Sequence, residues 1–213
     1  MKGDFGLTNS ELKLFKSLNT PAKIQDFINK IPINFEESGD SCYSPRMVLK
    51  NNRCHCIEGA ILAALILRVN GYAPLLVDLT ANDKDFDHVV AVFEKDGKWG
   101  AISKTNHYSL RYREPVYDSL KELVMSYFHE YFNDKGKKTL RSYSNFVDLS
   151  MFDHENWMTT DEEVWQIPEY LAEVEHFPIL TKSQISCLRN ADEIEIQAGK
   201  IVEYKSDKIK ENF

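Results

Sequence analysis

The sequence predicts an α+β protein in which one buried helix packs on an antiparallel sheet. Residues 56–67 are almost entirely apolar, which is typical of a central helix covered on all sides. Apolar segments at 73–79 and 88–94 are followed by Asp96-Gly97, the residue pair favoured in a tight type I′ hairpin turn. The predicted helices precede and follow the strands and do not alternate with them, which indicates an α+β fold.

The length of 213 residues and an apolar fraction of 43% suit one ordinary domain with an extension. We predict a core with N-terminal helices over residues 1–140. Residues 141–213 are then a C-terminal extension of short helices and a hairpin.

Two helices are predicted at the N-terminus. Thr8-Asn9-Ser10-Glu11 has the pattern of a capping box, in which a hydroxyl and a carboxylate satisfy the first turn. Thr20-Pro21 begins the second helix, with proline where its missing N–H costs nothing, and Pro32 ends it. The polar, turn-rich residues 33–52 are predicted to form a surface loop.

The apolar helix begins at Cys56 and ends at Asn70-Gly71. Glu58 near its start and Arg68 near its end carry the signs that suit the helix dipole. After it, the hairpin strands are predicted at 88–94 and 98–103, and an alternating aromatic stretch suggests a further strand at 108–117.

The remaining segments follow from local signals. A capping box at Ser119–Glu122 predicts a helix to about Phe132, and the composition of 133–160 predicts a solvated loop. The last predictions are short helices around 161–175 and 181–190, a hairpin at Glu193–Tyr204, and a frayed tail at 205–213.

Charge and composition exclude several functions. The net charge of −7 gives no electrostatic footprint for nucleic acid or anionic lipid. No run of 18 apolar residues could span a bilayer, and the first residues lack the apolar core of a signal peptide. Four cysteines are too few for a disulfide scaffold, so we expect a reducing, cytoplasmic setting.

Cys56 is the first candidate for chemistry because it begins a helix. Unpaired N–H groups and the partial positive charge of a helix N-terminus favour the thiolate, the nucleophilic form of cysteine. His88, at the start of a predicted strand, is the candidate base. If Asp96-Gly97 is a two-residue turn, Lys95 pairs with Lys98 and Val90 pairs with Ser103. Ser103 is then a diagonal neighbour of His88 on one face of the sheet. Asn106 is the other candidate for the group that orients the imidazole.

Residues 44–106 resemble the transglutaminase-like superfamily, which has a papain-like topology. The stretch Arg53-Cys54-His55-Cys56-Ile57-Glu58-Gly59-Ala60 resembles its Cys-x-[Asp/Glu]-x-Ala motif, and Asp87-His88-Val89-Val90 resembles its histidine-bearing strand. On this resemblance Cys56 is the nucleophile, His88 is the base and Trp99 is the tryptophan of the following strand. Ser103 occupies the position at which the family has an aspartate.

The resemblance implies acyl transfer from an amide through a thioester at Cys56, with a peptide or small amide as substrate and no cofactor. Trp99 and Glu58 are candidates for the substrate cleft, although Glu58 also suits a surface position and Trp99 a packing role. Rearranged triads using Asn106, Asp85 or Asp87 remain open. Two rival functions remain. Ser103 suggests a noncatalytic binding module, and Cys54-His55-Cys56 suggests a zinc-bound domain. The spacing of these cysteines speaks against zinc, because zinc loops usually have Cys-x-x-Cys spacing.

Overall fold

The computed structural model describes residues 5–37 and 39–205, so the expectations for the first four residues and for the tail beyond 205 lie outside the described residues. The helices are α1 (Asn9–Ser17), α2 (Pro21–Asn29), α3 (Pro45–Asn51), α4 (Cys56–Val69), α5 (Leu120–Met125), α6 (Gln166–Glu173), α7 (Lys182–Ser186) and α8 (Glu193–Gly199), with a 3₁₀ helix at Leu149–Glu155. The strands are β1 (Leu75–Ala81), β2 (His88–Lys95), β3 (Lys98–Ser103), β4 (Arg113–Tyr117), β5 (Leu140–Ser144), β6 (Val147–Asp148) and β7 (His176–Pro178).

The strands form one antiparallel, open sheet in the order β4-β3-β2-β1-β5-β7, and β6 pairs with β1. The α+β class predicted from the sequence is therefore confirmed. The hairpin register is confirmed as well, because Lys95 pairs with Lys98 and Val90 pairs with Ser103. Asp96 and Gly97 both have positive φ, as a type I′ turn requires.

Helix α4 lies in the core against one face of the sheet. Every residue from Ile57 to Leu67 is buried, and the helix packs on the β2 side chains Val89, Ala91 and Phe93. The opposite face is covered by the segment that follows β4, where Leu123, Tyr127 and Tyr131 are buried; it packs on Val90, Val92 and Ala101. Burying one such aliphatic side chain stabilises the fold by about 1.5–3 kcal/mol, so the sheet is held from both sides.

The two N-terminal helices begin where the capping signals predict. The Thr8 N–H donates to Glu11 Oε2 at 2.7 Å and the Glu11 N–H donates to Thr8 Oγ1 at 3.2 Å, which completes the capping box. The Thr20 hydroxyl accepts from the Lys23 N–H at 3.3 Å, and Pro21 is the first residue of α2. Both helices pack against α4.

Two segments predicted as loops contain regular structure. Residues 45–51, within the predicted loop 33–52, form α3, for which Ser44 is the N-cap and Pro45 the first residue. Residues 133–160 contain β5, β6 and the 3₁₀ helix, and Leu140, Leu149 and Trp157 are fully buried. These apolar side chains are separated by polar ones, so the average composition of the segment concealed their packing.

Three predicted elements differ in extent or type. The strand expected at 108–117 is limited to β4, and the helix expected to reach Phe132 ends at Met125, with turns beyond it. The predicted hairpin at Glu193–Tyr204 is wrong, because residues 193–199 form α8. Asp192 and Glu195 cap that helix, with the Asp192 N–H donating to Glu195 Oε2 at 2.6 Å. Strands β5 and β7 from the C-terminal part join the same sheet as the hairpin.

None of the helices in the described ranges is both long and apolar enough to cross a bilayer.

Candidate active site

The Cys56 thiol lies at the first position of α4, where the chain enters the core. Its side chain is half-buried, whereas those of Cys42 and Cys54 are fully buried and that of Cys187 is exposed. Burial raises the pKa of the Cys42 thiol, and it raises the pKa of Cys54 to about 12. Among the three cysteines of the core, Cys56 is thus the one with partial access to solvent.

Two imidazoles act on the Cys56 thiol. His55 Nδ1 lies 4.0 Å from Cys56 Sγ, and His88 is near enough to help lower the pKa of the same thiol. Burial by itself raises the pKa of Cys56, but the hydrogen bonds and positive charges of the two imidazoles outweigh burial and lower the pKa from 9.0 to about 5. A thiol with that pKa is a thiolate at neutral pH.

Ser103 orients the His88 ring. Its Oγ lies 2.8 Å from His88 Nε2, and its hydroxyl donates to the Leu110 carbonyl oxygen at 2.5 Å. Because a serine hydroxyl has only one hydrogen, Ser103 presents a lone pair to the imidazole. His88 therefore carries a hydrogen on Nε2.

Gln25 holds Ser103 in place from helix α2. The Gln25 side chain forms two hydrogen bonds with the Ser103 backbone, donating to its carbonyl oxygen at 2.8 Å and accepting from its N–H at 2.9 Å. Gln25 itself is buried, at 6% exposure, among the apolar residues of α2. This contact was missed from the sequence; a polar side chain next to the apolar stripe of α2 was the available signal.

His55 occupies the cap position before α4 and is surrounded by acceptors. Its Nε2 lies 2.8 Å from the Ser41 carbonyl oxygen, 3.4 Å from a Glu36 carboxylate oxygen and 3.6 Å from a Glu58 carboxylate oxygen. Burial lowers the pKa of His55, but the hydrogen bond to Cys56 and the negative charge of Glu58 raise it to about 9. The sequence had suggested His55 only as a possible zinc ligand.

Glu58 lies in the interior, so the surface position predicted for it is wrong. Its side chain is fully buried, and its carboxylate accepts hydrogen bonds from the N–H of Tyr43 and of His55 at 2.9 Å each. The Ser41 hydroxyl and the Asn34 amide also donate to it. Glu58 thus ties the segment before α3 to the first turn of α4, beside Cys56.

The other predicted site residues lie elsewhere. Trp99 is four residues before Ser103 on β3, about 13 Å along the strand, and stacks on Phe146 with a centroid distance of 6.2 Å. Asn106 forms paired hydrogen bonds with the backbone of Tyr204, at 2.9 and 2.8 Å. Asp85 accepts from the Thr139 hydroxyl, and Asp87 accepts from the Ala81 N–H at 2.7 Å. In the described hydrogen bonds, the group that orients His88 is Ser103.

A cavity of about 720 Å³ adjoins His88. Its walls are residues 83–88, parts of the segment 105–110, the turn 130–134 and the α8 residues Ile196 and Gly199. The charged side chains in these walls are mostly acidic. The acidic residues are Asp83, Asp85, Asp87, Glu130 and Asp134, and Lys84 is basic. The cavity is large enough for part of a peptide or a small amide.

Metal ligation is not suggested by the described residues, because no group of three or more His, Cys, Asp and Glu side chains in residues 5–37 and 39–205 is arranged to hold a metal ion.

A comparison with models of known protein families and with curated proteins finds no match to this chain.

Proposed function

We propose that this protein is a cysteine-dependent enzyme that transfers an acyl group from an amide, with Cys56 as the nucleophile and His88 as the base. The observation that supports it most is the Cys56 thiol at the start of a long helix, with its pKa lowered by His55 and His88, and with Ser103 Oγ 2.8 Å from Nε2 of His88. A low-pKa thiol with an oriented imidazole is the arrangement that nucleophilic cysteine catalysis requires.

The proposed reaction has two steps. In the first, the Cys56 thiolate attacks the amide carbonyl carbon, the C–N bond breaks, and protonated His88 gives its proton to the departing amine. In the second, water or a primary amine attacks the thioester, His88 takes the proton from that nucleophile, and the C–S bond breaks to release the acid or the new amide. The oxyanion would be stabilised by N–H groups of the first turn of α4, including that of Cys56, since such groups have no acceptor within the helix.

The resemblance to the transglutaminase-like superfamily is part of the proposal. Its cysteine position, on the helix, and its histidine position, on the following sheet, correspond to Cys56 and His88. Its aspartate position corresponds to Ser103, which is neutral. A neutral third residue is compatible with cysteine chemistry because the thiolate and the imidazolium already carry separated charges.

A test of this function measures the turnover of amides together with the acyl adduct trapped on Cys56. Wild-type protein and the variants Cys56→Ala and Cys187→Ala are assayed on a panel of p-nitroanilide amides, and on glutamine peptides with a fluorescent primary amine as acceptor. We expect release or transamidation by wild type and Cys187→Ala, loss in Cys56→Ala, and an acyl adduct on Cys56 detected by mass spectrometry. The two assays separate hydrolysis from transamidation.

The opposing result is equally definite. If no amide is turned over and Cys56 reacts with iodoacetamide no faster than a cysteine in an unfolded peptide, the enzyme proposal fails. A noncatalytic binding module would then be the better interpretation.

A further inference from the structure

We propose that His55 is the residue that keeps Cys56 in the thiolate form, which leaves His88 free for proton transfer. The inference rests on the proposed function in so far as Cys56 is taken to be the nucleophile. It assigns different tasks to the two imidazoles that act on one thiol.

The geometry around His55 favours its doubly protonated form. A backbone carbonyl oxygen can only accept, so the 2.8 Å contact with Ser41 places a hydrogen on Nε2. A second hydrogen on Nδ1 can then be donated to Cys56 Sγ, 4.0 Å away. The carboxylates of Glu36 and Glu58, at 3.4 and 3.6 Å from Nε2, stabilise the resulting positive charge.

His88 lacks such support. Its Nε2 faces the neutral oxygen of Ser103, and the ion pairs found among the described residues include none with His88. Of the two imidazoles, His55 is therefore the one with carboxylates beside it in the described ion pairs. If His55 remains an imidazolium, the unacylated Cys56 is a thiolate before each turnover, and His88 does not have to stay charged to hold it in that form.

Among residues 5–37 and 39–205, the other ionisable groups found to interact with Cys56 or His55 do not supply a competing cation. They are Glu36, Glu58, Cys42, Cys54, His88 and Tyr131. Apart from His88, these side chains are acids in their charged form or neutral. His55 and His88 are thus the two cationic candidates, and substitution distinguishes them.

The test titrates the thiolate by its absorbance at 240 nm in a Cys187→Ser background, which removes the exposed thiol. The raised pKa values of Cys42 and Cys54 keep those thiols protonated between pH 4 and 8, so the step in that range reports Cys56. The variants are His55→Gln, His88→Gln and Glu36→Gln, with His154→Gln as the control at an exposed histidine.

We expect the titration midpoint to rise by at least one pH unit in His55→Gln and by a smaller amount in Glu36→Gln. The rate of reaction with iodoacetamide at pH 6 should fall about twofold for a one-unit rise of the midpoint and about tenfold for a two-unit rise, in proportion to the thiolate fraction. His88→Gln should keep its midpoint below pH 7 while losing turnover, and His154→Gln should match the parent.

The proposal is overturned if His55→Gln leaves the midpoint unchanged while His88→Gln moves it to the range of an ordinary thiol. Should circular dichroism show that His55→Gln is unfolded, Glu36→Gln decides, and an unchanged midpoint in that variant also overturns the proposal. The titration needs no substrate, so it can succeed or fail independently of the amide assay.

Discussion

Ser103 Oγ lies between His88 Nε2, at 2.8 Å, and the Leu110 carbonyl oxygen, at 2.5 Å. The Ser103 hydroxyl donates its hydrogen to the carbonyl oxygen, and its oxygen accepts a hydrogen bond from Nε2 of His88. One small side chain therefore determines which nitrogen of His88 is protonated. This relationship also gives a physical reason for a serine here: an aspartate would place a carboxylate oxygen against the Leu110 carbonyl oxygen.

Ser103→Ala should lower kcat about 10- to 100-fold, because the buried Nε2–H of His88 loses its acceptor at a cost of about 1–3 kcal/mol. Ser103→Asp should not restore activity and should lower the unfolding midpoint in urea. Steady-state kinetics and urea unfolding check both effects. A Ser103→Asp protein more active than wild type would contradict this account of the site.

Alkylation of Cys56 should have an unusually acidic pH profile. In the Cys187→Ser protein, the rate with iodoacetamide should increase about tenfold per pH unit up to about pH 5 and then level off, because thiolate formation is complete above the lowered pKa of Cys56. A cysteine peptide is the control, and its rate should continue to rise to about pH 8.5. A Cys56 rate that parallels the peptide rate would show that the thiol is not activated.

Glu58→Gln should destabilise the fold by about 3 kcal/mol, since a carboxamide has one acceptor oxygen to offer where the carboxylate accepts four hydrogen bonds. It should also raise the titration midpoint of Cys56, because His55 loses a neighbouring negative charge. Glu173→Gln, at an exposed position on α6, is the matched control. Urea unfolding and absorbance at 240 nm give the two readouts, and equal behaviour of both variants would be inconsistent with the central position of Glu58.

Deprotonation of Asp78 should lower the free energy of unfolding as the pH rises through about 6. Burial and the nearby negative charge of Asp87 raise the pKa of this β1 carboxyl from 3.8 to about 6. The folded protein therefore binds the proton more tightly than the unfolded chain, and the free energy of unfolding falls between about pH 4 and pH 7. Asp78→Asn should flatten this dependence in urea unfolding at several pH values. The same slope in both proteins would assign the effect to other groups.

Amides with a positive charge near the cleaved bond should be the better substrates. The acidic walls of the cavity beside His88 attract cations. We expect a lower KM for a lysine-containing amide than for its glutamate counterpart, with the ratio shrinking as salt is increased from about 50 to 500 mM. Asp83→Asn should reduce the preference, and Asp161→Asn, near Lys50, should not. A preference for the glutamate amide would rule out this electrostatic selection.

Local signals were sufficient wherever neighbouring residues determine the structure. The capping residues Thr8 and Thr20 predicted the starts of α1 and α2, because their partners lie three residues away. The Asp96-Gly97 turn fixed the β2–β3 register, and that register placed Ser103 beside His88. The position of Cys56 on the buried helix followed from apolar residues on every side of that helix.

Tertiary contacts decided the rest, because they join residues that are distant in the chain. The Gln25 contact with Ser103 spans 78 residues, and the Glu58 contact with Ser41 spans 17. Residues 193–199 form α8, capped by Asp192 and Glu195, where Ala198-Gly199 had suggested a hairpin turn, and only the folded chain shows that two of its residues line the cavity. The sequence by itself predicted the thiol and the imidazole of the candidate site; only the folded chain brought the Glu36 carboxylate and the Ser41 carbonyl oxygen to His55, since both belong to a segment that is distant from His55 in the chain.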